Sequence, residues 1–128
     1  MTINIIKSIL INDPRIASAF IYGSYPDNED HNDIDVGVFT RDKFAGKERF
    51  DLEYELSKQI ANQLPGNLEI DVRVLNDAPD SFLFNVFQGL FLFTKDNKVE
   101  DLMEHIILKC LDEQYFKDQY LIQAYGDR

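Results

Sequence analysis

Asp33 and Asp35, one residue apart, and Asp71 further along the chain are the side chains whose type and spacing suit metal-assisted phosphoryl chemistry. Residues two apart on a strand share a face, so both carboxylates point one way while Ile34, Val36 and Val38 point into a core. Gly23-Ser24 comes shortly before them, directly after the apolar run Ala19-Phe20-Ile21-Tyr22. A glycine turn there frees backbone N–H groups, the serine adds a hydroxyl, and phosphate oxygens can be received by both. Asp71 belongs to a second alternating run, with Ile70, Val72 and Val74 on one face and Glu69, Asp71 and Arg73 on the other. Two Mg2+ ions held about 3.5 to 4 Å apart by such carboxylates clamp the attacking and leaving oxygens of an in-line displacement. In that scheme one ion carries a triphosphate. The other, bridged by Asp33 and Asp35 and completed by Asp71, lowers the pKa of an acceptor hydroxyl whose proton Asp71 can accept.

Such side chains need strands that meet in one sheet, and the periodicities provide them. Residues 3–11 carry isoleucines and Leu10 at helical spacing and stop at Asn12-Asp13-Pro14, which predicts a short helix. Arg15–Tyr22 reads as a strand, Pro26–Asn32 as a polar loop, and Asp33–Thr40 as a second strand. Leu52, Leu56, Ile60 and Leu64 then recur every four residues up to Pro65-Gly66, predicting a helix, and Leu68–Leu75 alternates as a third strand. Asp77-Ala78-Pro79-Asp80 opens a helix carrying Phe82, Leu83, Val86 and Phe87, which Gly89 closes before a fourth strand at Leu90–Thr94. Apolar residues at 99, 102, 103, 106, 107, 110 and 111 give a last long helix. The expectation is one domain over residues 1–128 with a C-terminal helix from about 98, in the α/β (α+β) class.

A net charge of −10 over 128 residues argues against direct binding to nucleic acid, where Lys and Arg must neutralise phosphate, and favours a basic partner. An aspartate-rich site also needs divalent cations to accept a polyphosphate. Cys110 is the single cysteine, so no internal disulfide forms, and its place on the last helix predicts a buried structural thiol. With no stretch of eighteen apolar residues and no signal-like N-terminus, the chain is expected in the cytoplasm, away from membranes. His31 reads as an exposed loop residue and His105 as a surface residue, neither a metal ligand. Arg41, Lys43, Lys47 and Arg49 alternate with acids and read first as a solvated face. Tyr115, Phe116, Tyr120 and Tyr125 either complete the core or form a partner-binding surface, the latter favoured slightly.

Gly23-Ser24, an eight-residue spacer, Asp33-Ile34-Asp35 followed by Val36-Gly37-Val38, and Ile70-Asp71-Val72 together resemble the DNA polymerase β-like nucleotidyltransferases. The run from Leu75-Asn76-Asp77-Ala78-Pro79 to Phe87-Gln88-Gly89-Leu90-Phe91-Leu92-Phe93 is similar to the minimal nucleotidyltransferases, the MNT or MntA-type antitoxins of HEPN/MNT toxin–antitoxin pairs, over about residues 15–96. The resemblance implies a small mixed sheet flanked by helices, Mg2+-dependent use of ATP, and a HEPN-domain ribonuclease toxin as partner and acceptor of AMP on a tyrosine. It makes Asp33, Asp35 and Asp71 catalytic and metal-binding, and Gly23 and Ser24 phosphate-binding. Where family members carry Ala-Arg-Gly after Gly-Ser-Tyr, this chain has Pro26-Asp27-Asn28, so a phosphate-binding arginine is missing. Arg73 stands either as its replacement or as the salt-bridge partner of a neighbouring carboxylate. Two other functions stay open on sequence: a non-catalytic antitoxin that works by occlusion, and a small-molecule nucleotidyltransferase of the antibiotic-modifying kind, against which the lack of a second, acceptor-binding domain counts.

Overall fold

The computed structural model describes residues 2–23, 33–66 and 68–125, with side chains as far as residue 113. Helix α1 (Thr2–Ile11) ends where Pro14 removes the next backbone donor. Strand β1 (Ile16–Tyr22) is followed by β2 (Asp33–Thr40), α2 (Lys47–Gln63), β3 (Glu69–Val74), α3 (Asp80–Phe87), β4 (Leu90–Thr94) and α4 (Asn97–Tyr125). The sheet runs in the order β3-β2-β1-β4. β1 pairs antiparallel with β2 and with β4, while β2 and β3 are parallel, as a strand–helix–strand crossover through α2 requires.

Alternation along the strands gives the sheet two apolar faces. On one, Ile34, Val36, Val38, Val72 and Val74 pack with Ile6 and Leu10 of α1 and Leu52, Leu56 and Ile60 of α2. On the other, Phe20, Tyr22, Phe39 and Leu75 pack with Leu83, Val86 and Phe87 of α3 and Val99 and Ile106 of α4. Central β1 is buried along its whole length for this reason. Asp33 and Asp35 share the second face with Phe39, and the change from chemistry to core takes place at Gly37. A β-carbon there would lie 2.8 Å from Leu75 Cδ1, so the glycine admits Leu75 beside the polar end of β2.

The strand, helix and turn assignments read from sequence agree with these elements. One expectation is corrected: Cys110 is half-buried rather than buried, because it lies at the margin of the α3/α4 cluster instead of inside it. His105 is exposed, as expected. The Pro26–Asn32 loop, His31, and the side chains of Tyr115, Phe116, Tyr120 and Tyr125 lie outside the described residues.

Candidate active site

Pairing register puts the carboxylates together. The parallel β2–β3 ladder sets Asp33 opposite Glu69, Asp35 opposite Asp71 and Gly37 opposite Arg73. Asp35 and Asp71 are thus immediate neighbours across two strands, with Asp33 one pleat away on the same face. On the other side Asp35 faces Tyr22, the last residue of β1. Gly23 follows with φ +76°, a left-handed conformation that suits glycine. A β-carbon at Gly23 would come within 2.5 Å of Asp35 Oδ2. The turn backbone therefore sits against the carboxylate with no room for a side chain, bringing a phosphate-type turn and a metal-type ligand into contact distance. Ser24 lies outside the described residues.

Burial, with the charges of Asp71 and Asp33, raises the pKa of Asp35, and Arg73 opposes this. The same surroundings push Tyr22 up to about 12, burial first and Asp35 second. Asp71 in turn raises Arg73, whose Nε stands 3.5 Å from Asp71 Oδ2, a loose exposed ion pair that leaves most of the guanidinium free. Its other side lies over the Phe82 ring, 5.9 Å from the centroid, and Phe82 meets Tyr22 edge-to-face at 5.5 Å. Both sequence readings of Arg73 are thus compatible with its place: it touches a neighbouring carboxylate and remains available to an anion. Among the described residues no three His, Cys, Asp or Glu side chains are gathered closely enough to hold a metal as they stand. Three like charges on one face repel each other, and a cation between them would offset that repulsion.

Sequence reasoning missed the groove beside these residues. It runs between α2 and the outer edge of β3 to the start of α3, encloses about 1130 Å3, and has Asp71, Arg73 and Phe82 in its wall. Tyr22 was legible only as the residue before Gly23, and no spacing signal points to Phe82, whose role comes from α3 folding back over β1. The basic cluster read as a solvated face is partly so. Arg41, Lys43 and Lys47 are exposed, whereas Arg49 is half-buried, lines the groove and has an Nε without a hydrogen-bond partner among the described residues.

A family model described as polymerase beta, nucleotidyltransferase, matches residues 4–98, a span that holds all three aspartates. No curated protein sequence matches significantly. Among solved structures, a chain from a crystal structure of a toxin–antitoxin with AMP-PNP is similar with a TM-score of 0.62 at 24% identity, over 99% of this chain and 97% of that one. A chain from tri-AMPylated Shewanella oneidensis HEPN toxin in complex with MNT antitoxin gives 0.60 at 19% identity, over 97% and 98%. A chain from the toxin–antitoxin MntA-HepT gives 0.61 at 19%, over 96% and 95%. At these identities the likeness is one of fold, and the small mixed sheet flanked by helices is the fold expected from sequence.

Proposed function

The chain belongs to the polymerase beta nucleotidyltransferase family and acts on a nucleotide substrate, and on that premise we propose that it transfers AMP from ATP to a tyrosine hydroxyl of a partner HEPN ribonuclease toxin, as its antitoxin. The observation that carries the catalytic part is the register of Asp35 on Asp71, with the Gly23 turn against Asp35 Oδ2. End-to-end likeness to chains of toxin–antitoxin complexes, one with AMP-PNP and one with AMPylated toxin, supports the partner and the donor. None of the described helices is long and apolar enough to cross a membrane; ATP as donor supports the cytoplasm as the place of action.

The residues fit Mg2+: an oxygen-only set of carboxylates on one face, with the backbone of Gly23 close beside it, suits a hard cation and its phosphate. Asp33, Asp35 and Asp71 would hold two ions, which when bound supply charge neutralisation for the triphosphate and acidify the acceptor hydroxyl. Gly23 lets the protein backbone approach the triphosphate closely, and Ser24, next in sequence, gives a phosphate oxygen its hydroxyl. Arg73, which meets Asp71 through Nε alone, offers its Nη groups to a phosphate oxygen, taking the role of the arginine absent after Tyr25. Asp71, exposed and opposite Asp35, accepts the proton of the incoming tyrosine hydroxyl.

Intact-mass measurement of the co-expressed toxin tests this. AMP-sized increments are expected with the wild type and none with Asp33→Asn/Asp35→Asn. Neutralisation without any mass change would replace the catalytic reading by occlusion. Calorimetry with Mg-ATP tests the donor side, where unchanged affinity in the double variant would remove the metal site.

A further inference from the structure

The groove beside Asp71 holds about 1130 Å3, just above the range of about 300 to 1,000 Å3 typical of small-ligand pockets, and has room for a chain segment. One wall is α2, where Phe50 and Tyr54, one turn apart, are 62% and 66% exposed. Large aromatic side chains this open, side by side on a groove, are the residues that anchor protein partners. Each already lies beneath a cation of its own helix: Arg49 Cζ is 5.0 Å from the Phe50 centroid, and Lys58 Nζ is 5.5 Å from that of Tyr54. Their ring faces accept positive charge. Carboxylates in the lining outnumber cations, five to three. That balance repels a polyphosphate and favours a basic occupant.

The floor is the free edge of β3, a position where an incoming strand would normally pair. Here two of its amides are already taken. Val72 N–H donates to Ser57 Oγ at 3.1 Å and Val74 N–H to Glu53 Oε2 at 2.9 Å. An occupant must therefore bind through side chains rather than as an added strand. Asp71 and Arg73 are part of the lining, so an occupant of the groove can reach the carboxylate assigned to the acceptor proton.

We propose that this groove seats the segment of the partner toxin that carries the acceptor hydroxyl, a lysine- or arginine-bearing segment docked on Phe50 and Tyr54. The inference rests on the AMP-transfer reading and names its acceptor subsite. AMP transfer to the purified HEPN toxin, followed with labelled ATP for wild type, Phe50→Ser/Tyr54→Ser and Asp51→Lys, tests it; all three positions are exposed, so folding is preserved. The double variant should raise the KM for toxin about tenfold or more, and Asp51→Lys should raise it several-fold at low salt, while Mg-ATP affinity measured by calorimetry without toxin stays at the wild-type value. Loss of Mg-ATP affinity in the double variant would assign the groove to the nucleoside and overturn the proposal. An unchanged KM for toxin would overturn it while leaving the AMP-transfer reading intact. No transfer by the wild type would sink both. Dissociation of a wild-type dimer by the double variant, seen in sedimentation, would give the groove to a second copy of this chain and also overturn the proposal.

Discussion

Asp35 and Asp13 show one residue type in opposite settings, as a proposed metal ligand in one place and as a stabilising ion-pair partner in another. Asp35 has its pKa raised by burial and by Asp71 and Asp33. The folded state thus holds its proton more tightly than the unfolded one, and stability from this group is present at acid pH and lost as pH rises through the raised folded value. At neutral pH the charged form is a burden kept for function. Asp35→Asn is accordingly expected to raise the melting temperature in metal-free buffer while weakening Mg-ATP binding about tenfold or more; a lowered melting temperature would show that the carboxylate also holds the Gly23 turn. Asp13 is the reverse case. Its carboxylate accepts from Arg15 Nε at 3.0 Å, Arg15 Nη2 at 2.8 Å and Arg15 N–H at 2.9 Å, and the Arg15 side-chain bonds hold its pKa below the usual 3.8. Its contribution is complete above 3.8 and is lost as pH falls from there through the lowered folded value. Asp13→Ala should destabilise by about 1 to 3 kcal/mol at pH 7, the range for charged hydrogen bonds, with the gap to wild type closing in urea titrations toward pH 2.

At the scale of elements, legibility followed locality. β2 and β4 were readable to their ends because short apolar runs are bounded by Asn32 and Asp33 on one side, by Gly89 and Lys95 on the other, and nothing distant is needed to define them. The three aspartates could be named as candidate ligands from residue type and strand alternation. That Asp35 would face Asp71 was not readable, because a parallel register is fixed by packing of an intervening helix, not by local spacing. Nor was the protection of the β3 edge: Glu53 and Ser57 look like ordinary polar positions of an amphipathic helix, yet they take up the Val72 and Val74 amides. Cys110 shows the limit from the other direction, since an apolar helical stripe predicts which way a residue points but not how far the facing core extends. Glu53→Ala/Ser57→Ala should leave two N–H groups at a partly buried edge without partners. The expected loss is about 1 to 3 kcal/mol per group, with faster hydrogen exchange at Val72 and Val74 than at Val36 and Val38. Since Asp71 directly precedes Val72 on β3, the same variant should reduce transfer more than Mg-ATP binding; uniform acceleration of exchange across the sheet would instead mark global destabilisation.

On the AMP-transfer proposal, the net charge of −10 of the whole molecule governs how the toxin arrives and how it leaves. An acidic surface attracts a basic ribonuclease from beyond contact range, within a Debye length of about 10 Å at 0.1 M salt, and raises the association rate by steering. Each AMP joined to a tyrosine adds a phosphodiester with one negative charge, placed where the toxin meets this acidic chain. Modification therefore reverses part of the attraction that enabled it. Affinity for the toxin should fall on the order of threefold for each AMP at low salt, about 0.6 kcal/mol, and much less at 1 M, where the Debye length is about 3 Å. Biolayer interferometry with unmodified and enzymatically modified toxin at both salt concentrations measures this directly. The expected pattern is a slower association rate for modified toxin at low salt that converges with the unmodified rate at high salt. Equal affinities at low salt would mean that the transferred group points away from this chain, and turnover would then need another route for product release.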